Sequence, residues 1–168
     1  MPRALAEGRT RLDFLTAAPA DPEAVTLTEL ASAVALSVAV LSSDYNLTPT
    51  DSDTVNEKSL VDEGNTVTFA ASNYQAAMTF FRYLTAAGAS DPGQDVAFET
   101  FTGKGVAGYM IERVGPKATT AWAAADVYNL YEVISDNPQQ PQERTGYIKF
   151  RQPFGVQGLV VLRGVVAA

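Results

Sequence analysis

From Val106 to the C-terminus, four stretches rich in Val, Ile, Tyr and Phe follow one another: Val106–Val114, Val127–Ser135, Gly146–Gln152 and Val156–Val166, with Gly, Pro or Asn in every gap. Stretches this short and this closely spaced bury their apolar groups most simply as neighbouring antiparallel strands. Gly146–Gln152 has the cleanest alternation, Ile148 and Phe150 opposing Tyr147, Lys149 and Arg151. Upstream, Thr10–Leu15 sets Leu12 and Phe14 on one face, and Val34–Leu41 does the same with Val34, Leu36, Val38 and Val40. Val67–Leu84 has apolar groups on both faces, as in a strand between a core and a neighbour.

Helical signals are few. Thr26-x-x-Glu29 is a capping-box pattern for a short helix. Asp91-Pro92 places a capping acid before a first-turn proline and Gly103 supplies a stop, so the principal helix is expected over about 92–102. Ala97, Phe98 and Phe101 form its packing face. The expected fold is mainly β, a mostly antiparallel domain with one principal helix, in a single domain over residues 1–168.

Residues 42–65 break this pattern. Ser, Thr, Asp, Asn and Glu dominate, with Tyr45, Leu47, Val55, Leu60 and Val61 the sizeable apolar groups. A polar loop of this length is uncommon inside a compact domain unless it has a task. The charge is uneven as well. Residues 21–63 hold nine acids against Lys58 alone, while residues 64–168 hold eight of each sign, so the net −7 is concentrated in one stretch. A surface of that sign repels polyphosphate and disfavours tight nucleic-acid binding.

The chain has neither Cys nor His, which removes disulfides, thiolate nucleophiles, imidazole bases and most transition-metal sites. No cofactor or metal is expected. Gly103-Lys-Gly105-Val-Ala-Gly108 matches a dinucleotide pattern, but it follows a helix and precedes a strand, the reverse of the required order, and reads as a helix stop and turn. Asp51-Ser-Asp53-Thr-Val-Asn56-Glu57 begins like a calcium loop, yet Val55 occupies a ligand position and no sharp-turn Gly follows. Asp62 and Glu63 lie in a solvated acidic run where nothing separates their pKa values. Trp122 reads as a core or interface anchor. Leu30–Leu41 is too short to span a bilayer, and no signal-peptide pattern opens the chain, so synthesis in a cytoplasm is expected.

Three further stretches carry a resemblance: Ser72-Asn73-Tyr74, the run from Phe98 to Gly115, and Asp136-Asn-Pro-Gln139 followed by Arg144 to Lys149. Together with the region Pro19–Leu30, they resemble the major tail proteins, or tail tube proteins, of siphophages that infect actinobacteria. The resemblance implies a non-enzymatic virion protein whose fold is a β-sandwich of antiparallel sheets with one flanking helix. Six copies would form a ring, one sheet of each would join a β-barrel around a channel, and the rings would stack as a conduit for the genome. It also implies a tape measure protein in the lumen, terminator and distal tail proteins at the ends, and transient passage of DNA.

On that resemblance, residues 42–65 are the loop that reaches the adjacent ring, with Asp44, Tyr45, Asp51, Asp53, Glu57 and Lys58 as contact residues. Asp51, Asp53, Asp62 and Glu63 are candidate lumen or rim acids. The alternatives are a tail terminator, a contractile injection tube, a monomeric β-sandwich binding domain and, least motivated, a carboxylate hydrolase.

Overall fold

The computed structural model describes residues 5–61, 63, 64, 66–141 and 145–168. In chain order it contains β1 (Thr10–Leu15), α1 (Leu27–Ala31), β2 (Val34–Ala35), a 3-10 turn (Ser42–Asp44), β3 (Asn46–Thr50), β4 (Thr54–Val55), β5 (Thr68–Phe69), β6 (Asn73–Phe81), α2 (Val96–Thr100), β7 (Ala107–Val114), β8 (Val127–Ser135) and β9 (Lys149–Val165). Seven strands form one antiparallel sheet in the order β2-β1-β7-β8-β9-β6-β3, and β4 pairs with β5 apart from it.

The sandwich is this one sheet bent over its own core. Along β9, Lys149–Phe154 pairs with β6 and Phe154–Val165 with β8. Side chains from β1, β7 and β8 thereby meet those of β3 and β6 in one cluster that includes Leu12, Phe14, Leu47, Met78, Phe80, Met110, Tyr131 and Phe150. At its centre Phe101 lies 5.1 Å from Phe14, 5.6 Å from Phe80 and 5.0 Å from Phe154, ring centre to ring centre. A second cluster covers the outer face of the β1-β7-β8 half, where Leu15, Ile111, Tyr128 and Leu130 pack with Val25, Leu30 and Val166. Strand alternation divides the two layers. Met110 and Glu112 point inward, while Ile111 and Arg113 point outward.

β1 and β8 match their expected bounds, but both faces of β1 are covered, Asp13 and Leu15 being as buried as Leu12 and Phe14. The second layer, invisible to a two-residue period, accounts for this. α1 forms where the capping box predicts: Thr26 Oγ1 accepts from the Glu29 amide, and Glu29 accepts from the Thr26 amide at 2.8 Å. Donors to the carboxylate favour ionised Glu29, whose pKa is lowered first by the Ala20 amide and then by the Thr26 amide.

Four expectations are corrected. Val34–Leu41 is a strand only over Val34–Ala35. The chain then turns, Ala39 N–H bonding Leu36 C=O at 2.9 Å, which buries Leu36 and leaves Val38 exposed. The helix expected over 92–102 is the five-residue α2, because the Asp91 carbonyl closes a turn over Gln94 and Asp95 before helical geometry begins. The strands expected over Gly146–Gln152 and Val156–Val166 are one strand that starts only at Lys149 and ends at Val165, since Pro153 sits in β9 with its C=O bonded to Asp136 and no N–H demanded of it. Finally, 42–65 is not a structureless loop. Its first part is β3 on the sheet margin, and only the portion beyond Thr50 leaves the body.

Gly103-x-Gly105-x-x-Gly108 serves the backbone. Gly105 has φ +95, and a Cβ on Gly108 would overlap the Phe14 ring and come 2.5 Å from the Leu15 carbonyl oxygen.

Candidate assembly surface

Beyond Thr50 and before Asn73 the chain forms an arm that prolongs the β3–β6 pair. Asp53 N–H bonds Ala71 C=O at 2.9 Å, Ala70 N–H bonds Asp53 C=O at 2.7 Å, and Thr54 pairs with Phe69. The Asn73 side-chain amide secures the root, donating to Asp51 C=O at 3.1 Å and Asp53 Oδ1 at 2.9 Å. The sequence 66–70 (TVTFA) is strand-prone, yet the arm has nothing to pack on. Leu60 is fully exposed, Val61 is 86% exposed and Phe69 75%. Apolar groups held in water on a two-stranded finger gain no burial within the subunit.

The expected contact residues divide into two groups. Asp51, Asp53, Glu57 and Lys58 lie on the arm and are exposed, as is Glu63; Asp62 falls outside the described residues. Asp44 and Tyr45 sit at the foot of β3 and are engaged within the body. The Asp44 carboxylate accepts from Thr79 Oγ1 and lies 3.7 Å from Arg151 Nε. Tyr45 donates to Glu112 Oε1 at 2.7 Å, joining the two halves of the bent sheet. Burial, reinforced by the Glu112 charge, raises the Tyr45 pKa far above the ordinary phenol range, and the same causes push Tyr131 up to about 12.

Of the helix face, Ala97 and Phe101 are buried in the inner cluster, whereas Phe98 is partly exposed beneath the Arg82 guanidinium, 3.3 Å from its ring centre. Arg82 is held by Asp95, whose fully buried carboxylate also accepts from Tyr83 N–H at 3.2 Å and Ser90 Oγ at 2.9 Å. A second ionic knot lies under the outer layer. Arg113 donates to Asp126 at 2.6 Å and to the carbonyls of Lys117, Thr120 and Ala121, with Trp122 stacked 4.9 Å away. Trp122 itself donates to Asp13 at 2.5 Å, so it anchors a loop to the body. Neither knot has a spacing that sequence reading recognises.

Among the described residues, the ion pairs are Arg11–Asp13, Arg82–Asp95, Arg113–Asp126 and Arg151–Asp44, none involving the arm. No group of three potential metal ligands occurs among them either, and no helix is long and apolar enough to cross a membrane. The polar groups of the body act as braces, while the arm exposes apolar and acidic groups. That arrangement defines a β-rich building block with a projecting arm.

The chain matches the family described as phage tail tube protein over residues 1–168 and belongs to it. It is a structural, non-enzymatic component of the virion tail, made to assemble with itself there. No individual curated protein matches it.

Proposed function

We propose that the protein forms the tail tube of a siphophage of the kind that infects actinobacteria, as six-membered rings stacked head to tail, with the whole chain acting as one domain. The observation that supports this reading is the arm, whose Leu60, Val61 and Phe69 are exposed and whose acids form no ion pair among the described residues. In a stack, each arm reaches the adjacent ring. This is a heterologous contact that repeats without closing, as a tube requires. A tape measure protein fills the lumen during assembly, a terminator and distal tail proteins bound the ends, and DNA passes without specific contacts.

On this reading Asp51, Asp53, Glu57 and Lys58, with Leu60 beside them, form the inter-ring contact, and Asp51, Asp53, Asp62 and Glu63 are the acids assigned to the rim or the lumen. A negative wall forfeits the counterion release that would make DNA stick. Deleting Asp51–Leu60 should leave circular dichroism and melting temperature close to those of the intact chain while abolishing long tubes in electron micrographs. Tubes of normal length from the deletion would overturn the contact role. Reversing Asp51 and Asp53 to Lys separates the two acidic roles, because loss of assembly indicates a ring contact and intact tubes with slowed DNA ejection indicate a lumen lining.

A further inference from the structure

Between β7 and β8 the chain makes a strap, residues 116–125 (PKATTAWAAA), that is neither helix nor strand. All of it is exposed except Ala118 and Trp122, which are half-buried. Among the described residues Trp122 is the one strap side chain that packs on the outer cluster of Leu15, Ile111 and Leu130. One half-buried ring is little against the entropy of ordering a segment this long. Main-chain ties are as sparse: among the described residues, Ala118 N–H bonds Gly8 C=O at 2.8 Å and Ala125 N–H bonds Val166 C=O at 2.9 Å. Left-handed backbone marks both ends, Gly115 at φ +144 and Ala125 at φ +68, the latter a conformation an L-residue adopts only when held.

What orders the strap is a positive charge. Arg113 of β7 is 1% exposed, and its guanidinium enters the loop. Nη1 donates to Ala121 C=O at 3.0 Å and Asp126 Oδ2 at 2.6 Å, and Nη2 to Thr120 C=O at 2.8 Å and Lys117 C=O at 3.2 Å. Three carbonyl dipoles and a carboxylate converging on one positive group are the ligand set of a cation-binding loop, filled here by a side chain of the same subunit. The planar fork of a guanidinium serves four acceptors at once, which the compact ammonium of lysine does not. Trp122 closes the cage, its ring centre 4.9 Å from the Arg113 guanidinium and 5.6 Å from that of Arg11. Its indole N–H donates to Asp13, which also pairs with Arg11. Without the guanidinium, the carbonyls and Asp126 would face one another unpaired. The strap can relieve that by swinging out and turning them to water, whereas the paired strands beneath it keep their own hydrogen bonds, so the loss stays local.

We propose that residues 116–125 open and close as a unit separate from the sheet, and that their carbonyl cage is a guanidinium site whose occupant, Arg113, holds them closed. Trp122 is the chain's one tryptophan, so acrylamide quenching of its fluorescence reads the strap while far-ultraviolet circular dichroism reads the sheet. Arg113→Ala should keep the sheet signal and raise the quenching constant about twofold. Guanidinium chloride, at concentrations too low to unfold proteins, should return quenching to the parental value, and sodium chloride at equal concentration should not. Asp126→Asn, which leaves Arg113 in the cage, should raise quenching with no rescue by added guanidinium. In the intact chain, hydrogen exchange read by mass spectrometry should release the amides of 117–124 well before those of β7 and β8. Quenching unchanged by Arg113→Ala, or raised and not reversed by guanidinium, would overturn the cage as the closing element. Strap amides that exchange together with β7 and β8, or loss of the sheet signal in Arg113→Ala, would overturn the separate unit.

Discussion

The body and the arm of this subunit use charge and apolar surface in opposite ways. In the body, Asp95 is fully buried and satisfied by Arg82, the Tyr83 amide and Ser90, while Arg113 bonds one carboxylate and three carbonyls. On the arm, Asp51, Glu57 and Glu63 form no ion pair among the described residues, and Leu60, Val61 and Phe69 stand in water. Buried ionic groups without alternatives hold one conformation together; exposed apolar groups without partners add nothing to an isolated subunit. The stability of the fold therefore resides in the body, and the arm finds its use only in the assembly proposed above.

The strongest way to break this contrast is at Asp95. Asp95→Ala strands the Arg82 guanidinium and should destabilise the subunit by about 3–5 kcal/mol, read from urea unfolding. A loss under 1 kcal/mol would show that the knot is not a brace. A smaller effect is expected from alkali. The folded chain raises the pKa of Tyr45 and Tyr131 above the usual 10.0, so their contribution is fully present below pH 10 and is lost as pH rises toward the folded values. Stability should fall above pH 10 by up to about 1.4 kcal/mol per pH unit for each phenol, and Tyr45→Phe should flatten the decline. The smallest effect on stability belongs to the arm. Leu60→Ser combined with Phe69→Ser should change unfolding by no more than about 0.5 kcal/mol while preventing assembly. A large loss of stability instead would mean that these groups pack on their own subunit.

Much of the body could be read from local pattern. Thr10–Leu15 and Val127–Ser135 have the bounds their alternation suggests, and the Thr26–Glu29 box caps α1. The errors share a physical origin in long-range pairing. Pro153 looked like a break between two strands, but as β9 passes from β6 to β8 it needs no donor there. Leu36 and Val38 looked like residues of one strand face, and a turn at Ala39 sends them to opposite environments. The arm was foreshadowed by composition, although β3 at its root was hidden because its pairing with β6 lies about 30 residues away in sequence. The Arg82–Asp95 and Arg113–Asp126 knots are consequences of the folded sheet and leave no local signature.

Negative-stain electron microscopy of the purified intact chain, over a range of concentration and salt, is the most direct test of a subunit built to stack. The account predicts hollow tubes or stacked rings of uniform width that grow with concentration. Monomers under every condition, with the fold intact by circular dichroism, would contradict self-assembly as the task of the arm.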